Sequence, residues 1–503
     1  MSTINLTSYN LLQRINFGDI DGMYDPNLDN YFLDRNYMNR IIYRNKYYVI
    51  GRKGTGKSAL YTWIYNRTIE AGHLCSNITL SDFPFEKLLN LKDESFARPY
   101  QYQTVCKNMI LNEWAKLIVN DENHIENEAF ESLSEYISNF LGTDFEDCFR
   151  QTVQKANQIN GSINIKGFGL GIDTEKNEAY DYNCEEMSKI NRILQNNIMD
   201  YLLSYGNSPT THFIVQIDGL DENYNQIMTN SDKSEDYTQF LISLMKANYA
   251  VNQIMHQRFN DIAKCIIYIR SDIFNLLHSY DAESARWEQY SETLSWVVEG
   301  HRWKNNDLRD LINERIYASL DFMNGRDGFS EVFNYKAIDL RSRYNQQEKH
   351  IFEYIVNRSF HRPRDIVQFC IKIQEESEKE GMLNYKAFNL AEREYSLWFL
   401  SEITNEISPK IKNISALFSF LRTLGEKPIS ISRFRQKYER HQETIGLETM
   451  ELLNYLYDTA IISNINDKGK WFSIIRNNKS RLNPDIKIIL HPGFWKGLYT
   501  ATF

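Results

Sequence analysis

The sequence is poor in several features that would assign a function class at once. It has only 6 cysteines in 503 residues, at 75, 106, 148, 184, 265 and 370. None forms a Cys-x-x-Cys pair and none has zinc-ligand spacing with histidine, so no zinc site is expected. The thiols read as reduced and mostly buried, as in a cytoplasmic chain. No apolar run approaches the ~18 residues that span a bilayer. The opening Met-Ser-Thr-Ile-Asn lacks a basic start followed by an apolar stretch, so neither a signal peptide nor a membrane partner is expected. An excess of positive charge is also missing: 57 Lys+Arg stand against 66 Asp+Glu, a formal net charge of -9. That balance argues against a surface coated for indiscriminate nucleic-acid binding. Internal repeats and long low-complexity tracts are absent. Glu-x-Lys occurs nowhere, which removes the common Asp…Glu-x-Lys nuclease pattern.

What the chain does have is alternation between apolar strands and amphipathic helices. Lys46–Ile50, Leu74–Leu80, His212–Asp218 and Lys264–Arg270 read as strands, and the last two are near-continuous apolar runs. Such runs suit strands buried on both faces of a parallel sheet, and helical patterns between them imply an α/β core. Helical periodicity follows at Ser58 onward, through much of 104–158, at Glu185–Ser204 and at Asp307–Leu320. We expect a lead-in segment over 1–45, whose 31–42 stretch suits a helix. An α/β core over 46–280, a helical lid over 281–410 and a C-terminal module over 411–503 follow it. Gly161–Asp173 alternates with period two around Gly167, Gly169 and Gly171, which predicts a glycine-rich hairpin inserted at about 161–174.

The strongest chemical signal is Gly51-Arg52-Lys53-Gly54-Thr55-Gly56-Lys57-Ser58, followed by Ala59. Its spacing is that of a phosphate-binding P-loop. The glycines let backbone N–H groups turn inward around phosphate oxygens, and the following helix aims its N-terminal dipole at the same charge. Lys57 is expected on the β- and γ-phosphates and the Ser58 hydroxyl on Mg²⁺. Asp218, at the end of Phe213-Ile-Val-Gln-Ile-Asp, is expected to hold the Mg²⁺ shell, with Asp221 or Glu222 polarising an attacking water. Arg270 ends the last core strand, where cations can report on a terminal phosphate; a simple Arg270–Asp272 pair is the alternative. Arg364, in Arg362-Pro363-Arg364-Asp365, could reach a nucleotide from a helix start. Arg286 and Arg302 could act across a subunit boundary as arginine fingers, with solvated surface roles favoured.

Together these residues resemble the STAND and ORC-related branch of AAA-like ATPases, and within it the bacterial P-loop ATPases of the FunZ type. Asp218-Gly-Leu-Asp-Glu222 is similar to the second nucleotide motif of NACHT-type STAND proteins. Phe32-Leu-Asp-Arg35 resembles their entry segment beside adenine, Arg270 their strand-end sensor, and Arg362-Pro-Arg364-Asp their second-sensor helix. The resemblance implies an ATP- and Mg²⁺-dependent regulatory ATPase that forms a homo-oligomer and works with a separate effector or sensor protein. It also implies a bacterial antiphage-defence context.

The C-terminal module carries the one charge asymmetry. Ile411–Phe503 holds 14 Lys/Arg against 8 Asp/Glu, and the rest of the chain 43 against 58. Three helical stretches, Asn413–Gly425, Ile429–His441 and Leu447–Thr459, precede two strands, Ile461–Asn466 and Trp471–Arg476. That is the order of a winged helix. The third helix, Glu448–Asp458, has three acids and no Lys or Arg, so it is not expected to read a DNA groove. Basic residues fall on the second helix (Arg433, Arg435, Lys437, Arg440) and near the wing (Lys468, Lys470, Arg476). Three functions fit these features: a regulatory ATPase, a DNA-acting ATPase of the loader or remodeller kind that uses the C-terminal winged helix, and a nucleotide-stabilised scaffold with little turnover; DNA or RNA is a partner such a basic face could contact.

Overall fold

The computed structural model describes residues 3–80, 92–93, 96–138, 184–205, 211–220, 231–280, 285–297, 305–321, 325–334, 338, 350–408, 410–411, 413–477 and 479–500. The expected glycine-rich hairpin at 161–174 lies outside them. The chain divides into two compact units. One comprises Asp34–Lys53 and Lys57–Leu294; the other comprises Met1–Leu33, Gly54–Gly56 and Ser295–Phe503.

The first unit is built on a five-stranded sheet in which every pairing is parallel: β1 (Tyr48–Gly51), β2 (Leu74–Thr79), β3 (Phe213–Asp218), β4 (Ala263–Arg270) and β5 (Ser291–Thr293), in the order β2-β3-β4-β1-β5. β1, β3 and β4 are buried along their whole length, as continuous apolar runs require. β5 was not legible in the sequence, because Ser-Glu-Thr is three residues long and carries no apolar signature. The helices are α1 (Lys57–Glu70), α2 (Gln103–Val119), α3 (Cys184–Leu203), α4 (Ser231–Phe259) and α5 (Ser271–Tyr280). In place of the expected 31–42 helix this unit has a five-residue π-helix, Met38–Ile42, while the four-residue helix Leu28–Tyr31 belongs to the other unit. The fully buried Lys264 explains how that π-helix is tied to the sheet. Its ammonium donates to the carbonyls of Ile41, Ile42 and Arg44, satisfying acceptors that a helix end leaves unpaired.

Alternation along the strands assigns the two faces of the sheet. Phe213, Val215, Ile217, Cys265, Ile267 and Ile269 join the large core that also contains α2 and α4 residues. Gln216 and Tyr268 point to the opposite face, where Tyr61 of α1 lies edge-on to Tyr268 at 5.4 Å. By the same period of two, Asp218 and Arg270 belong to that face.

The second unit is mainly helical, with α6 (Asp307–Ser319), α7 (Pro363–Glu380), α8 (Tyr385–Ile407), α9 (Ile414–Leu424), α10 (Ile431–Tyr438) and α11 (Thr449–Asp458). It has its own core, in which Leu12, Ile15 and Phe17 pack with Ile316, Phe369, Tyr395, Leu421 and Leu456. β6 (Ile462–Ile465) lies between β7 (Trp471–Phe472) and β8 (Lys487–Leu490), and both pairings are antiparallel. Sequence reading placed the first two of these strands and missed β8. No described helix is long and apolar enough to cross a membrane.

Candidate functional site

The site begins with a junction. β1 ends at Gly51 and α1 begins at Lys57, so the glycine-rich segment links the C-terminal end of a buried strand to the N-terminus of a fourteen-residue helix. Gly54 has φ +79° and Gly56 φ +89°, conformations that side-chain-bearing residues rarely adopt, so the spacing of these glycines follows from the path of the backbone. A Cβ on Gly54 would also approach Arg364 Cβ to 3.2 Å, whereas Gly56 has open space around it. Lys57 is buried, and its ammonium donates to the Gly51 carbonyl at 3.3 Å.

Two further strand ends join this edge of the sheet. Register sets Gly51 directly opposite Arg270, and Ile217 opposite Ile267. Because all strands run in parallel, Asp218 and Arg270 emerge at the same end as the Gly51–Lys57 connection. Asp218 is buried, and the next residue, Gly219, has φ +82°. Glycine after the aspartate thus allows the chain to turn sharply as the strand ends. Below Asp218 lies a buried polar network. The Tyr268 hydroxyl donates to Gln216 Oε1 at 2.5 Å, and Gln216 Nε2 donates to the Tyr61 carbonyl at 3.1 Å and Asn77 Oδ1 at 2.9 Å. This network braces β3 against β4, β2 and α1. Gln216 was the sequence signal for it: one amide inside an otherwise apolar strand has to find partners.

Arg270 forms a two-pronged pair with Asp272, Nε to Oδ1 at 3.0 Å and Nη2 to Oδ2 at 2.5 Å. Its side chain is 7% exposed, while that of Asp272 is 57% exposed. Burial works to raise the Asp272 carboxyl. The charge of Arg270, its hydrogen bonds, the Ile273 N–H and the charge of Lys57 outweigh that and hold the carboxyl below its usual range.

The other expected residues fall as follows. Arg52, Lys53, Ser58 and Ala59 are half-buried around the same connection, and Thr55 is buried. Asp221, Glu222 and Arg302 lie outside the described residues. Arg286 is exposed in the short helix Ala285–Gln289. In the second unit, the Arg364 N–H reaches the Gly54 carbonyl at 3.4 Å, and its guanidinium pairs with Glu402 at 3.3 Å. Its neighbour Arg362 is fully buried between Asp365 and Glu406 at 2.9 and 2.8 Å, with Phe360 and Phe399 rings alongside. Sequence reading named the two arginines together; packing separates an internal ion pair from a partly exposed side chain. Trp296 Nε1, donating to the Thr55 carbonyl at 2.9 Å, was not anticipated.

At the start of α1 the helix N-terminus and Lys57 supply positive charge, Arg270 adds a cation paired with Asp272, and the buried Asp218 carboxylate ends β3. That suits a polyanion accompanied by a cation. Residues 306–404 match the family described as the FunZ-associated C-terminal helical domain. The match covers about a fifth of the chain, starting at the N-cap of α6 and ending inside α8. It makes that helical segment similar to the corresponding part of FunZ-type proteins. No curated protein matches the chain.

Proposed function

We propose that the protein is a P-loop ATPase of the STAND/AAA-like kind, using Mg²⁺ and acting as a switch that controls a partner protein. The observation that carries this reading is the junction of buried β1 with α1 through Gly54 and Gly56 at positive φ, with Asp218 ending a parallel strand on the same edge. The residues fit the group they would hold. Backbone N–H groups of Gly54–Ser58 would cradle phosphates, Lys57 would neutralise them, and Ser58 with Asp218 would hold Mg²⁺. Bound Mg²⁺ would offset charge developing on the transferred phosphoryl oxygens. Arg270 would bear on the terminal phosphate, and Asp221 or Glu222 would orient the attacking water.

A regulatory role is favoured over a free-standing hydrolase by what else the chain carries. The helical segment matched over 306–404 is followed by a module of helices and a three-stranded sheet, and the described residues hold no cluster of His, Cys, Asp or Glu that could bind a metal for a second reaction. The module has the element order of a winged helix, with acids on its third helix, and we assign it to packing or regulation. The FunZ-type similarity makes an antiphage-defence setting part of the same proposal, with a homo-oligomer as the working form.

Binding of ATP to the full chain tests the core claim. Lys57→Ala is expected to weaken ATP affinity by at least tenfold with the thermal midpoint little changed. An unaltered affinity would overturn the nucleotide reading. Phosphate release by wild type, Asp221→Asn and Glu222→Gln then separates a turning-over switch from a nucleotide-stabilised scaffold, which would show no release above background.

A further inference from the structure

Arg270 and Lys57 are side-chain cations at the two ends of the Gly51–Lys57 connection, and the charge of both bears on the Asp272 carboxylate. Asp272 is the second residue of α5, which starts directly where β4 ends. Its two oxygens meet the Arg270 guanidinium in the parallel fork geometry that Arg also uses for phosphate. Arg270 itself stands in register with Gly51, the first residue of the glycine-rich segment. The Arg270 side chain is enclosed and that of Asp272 is the more exposed of the two, so Asp272 is the member with room to yield its place to another anion. The charge of Lys57 also bears on Asp272.

We propose that Asp272 is a built-in counter-anion that holds Arg270 in place of a terminal phosphate, so that a nucleoside triphosphate is recognised by displacing it. This rests on the nucleotide reading above and deepens it, because it makes Asp272 the residue that sets discrimination between tri- and diphosphate. A diphosphate, lacking the outer phosphoryl group, leaves the Arg270–Asp272 pair closed. A triphosphate replaces one two-pronged anion with another, and the freed end of α5 reports the change. Asp272 is a positioning residue that works through Arg270. Removing its charge should therefore favour triphosphate selectively and not strengthen all anion binding equally.

The test is equilibrium binding of fluorescent ATPγS and ADP with Mg²⁺ to the full chain, for wild type, Asp272→Asn, Asp272→Ala, Arg270→Met, Lys57→Ala and the Arg270→Met/Asp272→Asn double variant. Asp272→Asn keeps the shape of the side chain, and circular dichroism checks that each variant is folded. The expected result is a gain in ATPγS affinity of about tenfold for Asp272→Asn, a typical coupling magnitude, with ADP affinity within about twofold of wild type. The gain should vanish in the double variant, because it requires Arg270. A neutral or weaker ATPγS affinity in both Asp272 variants, with Lys57→Ala still weakening binding at least tenfold, overturns the counter-anion role and leaves the nucleotide site standing. Lys57→Ala binding as wild type overturns both.

Discussion

At the scale of single residues, backbone conformation separates glycines that the sequence motif treats alike. Gly54 combines positive φ with a Cβ approach of 3.2 Å to Arg364, whereas Gly56 has positive φ and free space. Alanine at 56 therefore carries only the left-handed backbone penalty, about 1–2 kcal/mol. Alanine at 54 adds a steric term. We expect Gly54→Ala to lower the unfolding midpoint in urea more than Gly56→Ala, and both to weaken ATP binding. Equal midpoints would show that the close approach to Arg364 is relieved at no cost. At the other end of the strands, His73 and His212 meet ring to ring at 4.8 Å. Burial lowers both from the usual histidine value, His212 adds to the lowering at His73, and the charge of Lys264 adds to it at His212. A lowered folded pKa means that the unfolded chain takes up protons first as pH falls. The stability these residues contribute is thus present above about pH 6.5 and is lost below it. Wild type should lose more thermal stability between pH 7.5 and 5.5 than His73→Asn/His212→Asn, and an equal loss would contradict the assignment.

At the scale of elements, the start of α7 shows why charge alone is a poor guide to role. Pro363 occupies the first turn, where its missing N–H costs nothing, and Asp365 accepts from the Phe360 N–H, fastening the turn before the helix. Arg362 is enclosed by Asp365 and Glu406, and removing one member of such a buried pair leaves the other charges uncompensated. Arg362→Met is expected to destabilise the protein by about 3–5 kcal/mol. Arg364→Ala, which breaks a more exposed pair with Glu402, should cost no more than about 1 kcal/mol. Chemical denaturation of the two variants side by side checks this ordering, and the reverse order would reassign the two arginines. β3 offers the parallel case in the sheet. Tyr268→Phe deletes the hydroxyl that satisfies Gln216 Oε1, at an expected cost of about 1–3 kcal/mol, and should also lower affinity for Mg²⁺-ATP by loosening the strand that carries Asp218.

At the scale of the whole molecule, two separate cores and an uneven charge distribution frame what the chain can do. Acidic side chains dominate outside 411–503, and within that module α11 carries Glu451 and Asp458 with Glu448 at its N-cap, while exposed cations sit on α10 and around the β6–β7 turn. A groove-reading third helix needs donors, and this one offers acceptors. Any contact with duplex DNA should then be independent of sequence and steeply weakened by salt. Fluorescence anisotropy with several unrelated duplexes at two salt concentrations checks this, and a strong preference for one sequence would contradict it.

Much of the α/β unit was legible beforehand because its signals are local. Near-continuous apolar runs gave β3 and β4 within a residue, and shorter strand-like runs gave β1 and β2 within two. The glycine spacing marked where β1 hands over to α1. What stayed illegible depends on residues far apart in the chain. β5 exists because the edge of β1 accepts three polar residues, not because those residues favour a strand. Residues 1–33 group with the helical unit through Leu12, Ile15 and Phe17, a pairing that no local pattern encodes. The Arg270–Asp272 pair was visible as a possibility two residues apart. Only the strand-to-helix transition decided that both prongs of the guanidinium are engaged, and only sheet register set that pair opposite Gly51. Sequence by itself determined where the backbone turns tightly between β1 and α1, because such a turn tolerates few alternatives to glycine. Tertiary structure decided which of the surrounding charges are committed to one another, because burial and register, not spacing, set the cost of leaving a charge unpaired.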